Sequence, residues 1–208
     1  MELSRRTPLL LGLTALAGCT FSAAVPFPTA MPSQRVLDAQ YQTLRHDLST
    51  LKQYQFEITV PAAWKTLDTA MVQEPAGDVP EEIAAFREPG DWMTDPDAPA
   101  KAEVSVSVLN LSGSLIGTGA SLQWLTTILD RTIPGYRILE QRETKSAAGD
   151  SGDMLIRFNA PEDIIARFYV VLSKDKKHVI VITGSAPGPE YAARAEQLFV
   201  ALQSFHLL

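Results

Sequence analysis

The segment Phe168-Tyr169-Val170-Val171-Leu172, followed beyond Lys174-Asp175-Lys176-Lys177 by Val179-Ile180-Val181-Ile182, is apolar at successive positions in both halves. A strand faces two ways, so apolar residues at consecutive positions require cover on both sides. Two strands, Ile164 to Ser173 and His178 to Gly184, are therefore expected at the centre of a sheet with helices or loops on each face. The lysine-rich tip between them reads as a solvated turn, since its few charges are too sparse for attachment to lipid headgroups.

Working upstream, Asp153 to Asn159 and Tyr136 to Thr144 read as further strands around a turn at Ala147-Ala148-Gly149-Asp150-Ser151-Gly152. Leu122, Leu125, Ile128 and Leu129 mark a helix that stops at Pro134-Gly135. In Glu103-Val104-Ser105-Val106-Ser107-Val108 the valines and serines alternate, which defines a half-buried strand. The glycines of Ser112 to Gly119 lack the Lys-Ser/Thr ending of a phosphate loop and read as a linker.

Residues 89 to 99 contain three prolines and three aspartates and must form a loop. Asp91, Asp95 and Asp97 lack the glycine and closing glutamate of a calcium loop, so no metal is expected there. Trp92 and Met93 are apolar residues on this polar loop that either fold back onto the domain, as large aromatics mostly do, or are candidates for contact with a partner or ligand. Trp64 is a third candidate, weighed against a place in the core.

Phe56, Ile58 and Val60 alternate in a strand stopped by Pro61, and residues 66 to 88 should hold one or two more strands, including Ile83 to Arg87. Leu37, Tyr41, Leu44, Leu48 and Leu51 alternate steps of four and three, which predicts a helix from Arg35 to Lys52 packed on its own sheet or on a partner. A last helix starts at Pro189-Glu190 and carries Tyr191, Ala195, Leu198, Phe199, Leu202 and Phe205 at helical spacing.

The amino-terminal end carries an address. Arg5 and Arg6 precede an apolar run from Pro8 to Ala17, too short for a mature membrane span, and then Leu16-Ala17-Gly18-Cys19. The pattern resembles a lipobox. It implies a signal peptide over residues 1–18, exported by the general or the twin-arginine route, and a lipid anchor on Cys19. Thr20 after the cysteine implies outer-membrane sorting, facing the periplasm. Residues 19–33 would form a proline-containing tether and 34–208 a single domain.

Loss of Glu2, Arg5 and Arg6 changes the formal charge from −6 to −7, which argues against nucleic acid as a partner. Cys19 is the single cysteine, so internal disulfides are excluded. His46, His178 and His206 fall in no catalytic motif. The chain is accordingly expected to be non-catalytic and cofactor-free, a protein-binding or assembly module. The alternatives are a small-molecule or lipid-binding module with Trp64 or Trp92 in a cleft, and an enzyme with an unrecognised site.

The entry Val60-Pro61-Ala62-Ala63-Trp64, the order of elements and the helix end Leu202-Gln203-Ser204-Phe205 resemble the PsbP-like superfamily, including DcrB-type envelope lipoproteins, over about residues 54–206. The resemblance implies an α+β fold, an antiparallel sheet sandwiched between helices, in proteins that mostly bind or assist others. It carries over no catalytic residue.

Overall fold

The computed structural model describes residues 28–47, 54–68, 80–95, 98, 100–110, 118–146, 149–159, 162–173 and 177–208. The elements run α1 (Gln34–Gln40), β1 (Tyr41–His46), β2 (Phe56–Pro61), β3 (Lys65–Asp68), β4 (Glu81–Arg87), β5 (Glu103–Asn110), α2 (Thr118–Thr132), β6 (Arg137–Ser146), β7 (Gly149–Phe158), β8 (Ile164–Leu172), β9 (His178–Pro187), α3 (Tyr191–Ser204) and β10 (His206–Leu207). Among the described residues, seven strands form an antiparallel sheet in the order β3-β4-β5-β9-β8-β7-β6, and three form a smaller one, β1-β2-β10.

The two-faced strands β8 and β9 lie next to each other in the interior of the large sheet, as their composition requires. Ile165, Tyr169, Val171, Ile180 and Ile182 point into one core together with α3, β5 and the small sheet. Ala166, Phe168, Val170, Val179 and Val181 point into a second core with Leu122, Leu125 and Leu129 of α2. The sheet is thus covered by a helix on each side. In β5, Val104, Val106 and Val108 are buried and the serines between them only half-buried, which follows the alternation.

Both motifs behind the resemblance have structural work. Trp64 N–H donates to Pro61 O at 2.9 Å, closing the turn that drops the indole into the core. Ser204 Oγ accepts from Thr59 N–H at 2.8 Å, and Phe205 packs on Phe56 with ring centroids 5.2 Å apart. The end of α3 is thereby fastened to the small sheet.

The helix expected from Arg35 to Lys52 is not formed as such. Among the described residues of this segment only α1 is helical, and it buries no residue. The chain turns extended at Tyr41 (φ −124°, ψ 162°) and becomes β1, in antiparallel register with β2 from Tyr41↔Pro61 to His46↔Phe56. Leu37, Tyr41 and Leu44 fit a helical stripe, yet Gln42, Leu44 and His46 also alternate with exposed Thr43 and Arg45. The open edge of β2 offers ladder hydrogen bonds and a Thr43–Thr59 hydroxyl contact at 3.0 Å, which a short helix with no buried face cannot match. Leu48 and Leu51 lie outside the described residues.

The turn expected at residues 147–152 is also shorter, because Gly149 to Gly152 belong to β7. Gly152 is there for packing: a β-carbon on it would lie 2.5–3.0 Å from the Leu122 side chain of α2. Cys19 with its signal segment, Asp97, Ser112 to Gly117 and Lys174 to Lys176 lie outside the described residues.

Candidate functional site: the Trp92 loop

β4 and β5 are neighbours in register from Glu81↔Val108 to Arg87↔Glu103, and the chain between them makes the aspartate-rich loop. Glu88 N–H still donates to Ala102 O at 2.9 Å, so the ladder runs one step beyond β4. Gly90 then leads into one tight turn, Asp91–Met93, closed by Met93 N–H to Gly90 O and Thr94 N–H to Asp91 O at 3.1 and 2.9 Å. Thr94 Oγ1 adds a bond to Asp91 O at 3.0 Å.

This turn sends Trp92 back toward the body and Met93 outward. The indole Nε1 donates to Glu88 O at 2.7 Å, and the Arg87 guanidinium stands 5.6 Å from the ring centroid, within cation–π range. Arg87 also pairs with Glu103 across the ladder. Met93 is 54% exposed, the highest value among the large exposed apolar side chains described. Asp91 and Asp95 beside it are exposed.

The base of the loop is held by α3. Arg194 Nε and Nη2 grip the Glu88 carboxylate at 2.5 and 3.2 Å, and Nη1 reaches Glu190 at 2.8 Å. Its hydrogen bonds to Glu88 raise the Arg194 pKa above the ordinary guanidinium value. Nothing in the sequence pattern paired Glu88 with Arg194, since they are distant in the chain and adjacent only after α3 docks.

Of the residues singled out from sequence, Trp92 and Met93 are therefore together at one surface, while Trp64 is 4% exposed and belongs to the core. No group of three or more histidine, cysteine or acidic side chains suited to a metal occurs among the described residues. The three histidines, scattered in sequence, converge on the start of β2. His46, on β1 and not on a helix, stacks on Phe56 at 5.0 Å; His178 meets Tyr54 edge-on at 5.1 Å; His206 Nε2 is 3.3 Å from Glu57 Oε2.

A second polar feature escaped sequence reading altogether. Arg167, inside the apolar strand β8, is fully buried and doubly bonded to buried Asp153 of β7, Nε to Oδ1 at 2.7 Å and Nη2 to Oδ2 at 2.5 Å. Burial by itself lowers the Arg167 pKa, but the Asp153 bonds and charge outweigh it and the net shift is upward. Burial, reinforced by the Asp153 charge, pushes neighbouring Tyr169 up to about 12.

No protein-family profile and no curated protein sequence matches the chain. Among solved structures, the fold is that of the PsbP-like class. The chain is similar to the solution structure of cyanobacterial PsbP (CyanoP) from Synechocystis sp. PCC 6803, with 13% identity and a TM-score of 0.52 over 82% of this chain and 94% of that one. It is also similar to the crystal structure of LpqN, involved in cell envelope biogenesis of Mycobacterium tuberculosis, with 13% identity and a TM-score of 0.53 over 86% and 98%. No helix among the described residues is long and apolar enough to cross a membrane.

Proposed function

We propose that the protein is a lipoprotein of the bacterial cell envelope, of the DcrB type, that acts as a non-catalytic protein-binding or assembly module. Cys19 carries the lipid and keeps the domain at the periplasmic face of the outer membrane. The domain docks on another envelope protein through the Trp92 loop. The observation that carries this reading is the exposed Met93, presented on a turn whose base is clamped by Glu88 and Arg194. A clamped turn loses little conformational freedom on docking, which favours affinity. The involvement of LpqN, a protein of the same fold, in envelope biogenesis supports the envelope setting. A ligand cleft lined by Trp64 has less support, because that indole is packed in the core.

A photoreactive residue at position 93 tests the docking in intact cells. The expected result is a crosslinked product of defined mass at native expression, missing when the probe is moved to exposed Glu143 on β6. Free monomer alone from position 93 would overturn it. The anchor is tested separately: Cys19→Ala should shift the protein from the detergent phase to the aqueous phase, and continued membrane partition would refute lipidation.

A further inference from the structure

We propose that the guanidinium groups of Arg142 and Arg167 form a cradle for a small carboxylate anion, and that Glu140 of the chain itself now occupies it. This site is independent of the Trp92 loop.

Four charged side chains meet on the face of the large sheet that looks toward α3. The register sets them: Arg142 stands opposite Asp153, Asp153 opposite Tyr169, and Arg167 opposite Leu155. Asp153 is the structural counter-ion. It takes Arg167 at 2.7 and 2.5 Å and Arg142 Nε at 2.9 Å, and its side chain and that of Arg167 are each 1% exposed. These are charge-assisted bonds.

Glu140 is held differently. Its carboxylate bridges the outer nitrogens of both guanidiniums, 3.3 Å from Arg167 Nη1 and 3.2 Å from Arg142 Nη1. The Glu140 and Arg142 side chains are 42% and 53% exposed. Arg142 thus holds its outer nitrogen at the surface and buried Arg167 offers Nη1 beneath it, both taken up by a loosely held carboxylate on a short tether. Such an occupant is displaced by an external anion of the same chemistry once that anion exceeds the tethered group's effective concentration.

The backbone is shaped for this placement. Ile138 stands opposite Ile156 but Glu140 stands opposite Leu155, so Leu139 is the extra residue of a bulge. In a regular ladder Leu139 would face Leu155 and Glu140 would lie on the α2 side, away from Arg167. Bulges re-aim side chains near sheet edges, and β6 is the last strand of its sheet. The Glu140 and Arg142 side of the cradle therefore lies on the edge strand, where both side chains are partly exposed.

The test titrates hexanoate and, separately, inorganic phosphate into wild type, Glu140→Gln and Glu140→Gln/Arg142→Ala, following arginine Nε–H resonances by NMR. Glu140→Gln should bind hexanoate at least tenfold more tightly than wild type, and adding Arg142→Ala should reverse the gain. Glu140→Ala provides the same comparison if the glutamine variant does not fold. Equal affinity in wild type and both Glu140 variants, no effect of Arg142→Ala, or tighter binding of phosphate than hexanoate would overturn the assignment.

Discussion

Arg194, on α3, holds the carboxylate of Glu88 with two hydrogen bonds across 106 residues of sequence. The contact joins the last helix to the base of the Trp92 loop, so the presentation of Met93 depends on how α3 is seated.

Breaking that grip should loosen the loop with little harm to the fold. Both side chains are partly exposed, and a bidentate arginine–carboxylate pair in such a place contributes about 1–2 kcal/mol. Arg194→Ala should lower stability by about that much in urea unfolding and should weaken the Met93 crosslink. A double-mutant cycle with Glu88→Gln isolates the pair, and a coupling near zero would show that the loop stands without it.

The Asp153–Arg167 pair should be far more costly to halve. Asp153→Asn leaves the Arg167 guanidinium buried without its main counter-ion, and about 3–5 kcal/mol of destabilisation is expected in chemical denaturation. Replacing both, as Asp153→Leu with Arg167→Met, should recover most of the loss, because apolar side chains of similar size suit that depth. A single variant as stable as wild type would contradict the buried charge pair.

Gly152→Ala tests the close approach of α2 to β7. The added methyl meets Leu122, itself buried, and overpacking of this kind costs about 1–3 kcal/mol. Leu122→Ala added to it should relieve part of the clash, giving a non-additive pair in thermal unfolding. Full additivity would place the two residues out of contact.

Alkaline pH should unfold the protein through its tyrosines. Tyr41 is pushed up to about 12 by burial, then by the charge and hydrogen bond of Glu196, and Tyr169 to about 12 by burial and the Asp153 charge. An unfolded tyrosine ionises near 10. Each raised value therefore contributes stability that is complete below pH 10 and is lost as pH rises toward 12. Tyr41→Phe should flatten that decline in stability-versus-pH measurements, and an unchanged alkaline slope would rule out the contribution.

The strands β2, β4, β5, β8 and β9 and the helices α2 and α3 were legible because each carries its own hydrophobic period, and a period is a local property. The loop residues Trp92 and Met93 stood out for a related reason, as large apolar side chains stranded among prolines and aspartates. By contrast, Tyr41 to His46 satisfies two periods at once. The open edge of β2 resolved the conflict in favour of a strand, and no residue of the segment records that edge.

Composition and spacing alone thus determined that this chain builds a sheet covered on both faces and closed by a carboxy-terminal helix, since burying apolar stripes leaves few other arrangements; its antiparallel order was implied only by the resemblance. Tertiary structure alone decided that Glu88 meets Arg194, that Arg167 finds Asp153 inside an apolar strand, and that a bulge at Leu139 turns Glu140 onto the same face. Polar partners are chosen by proximity after folding, and proximity across a hundred residues leaves no mark on the local pattern.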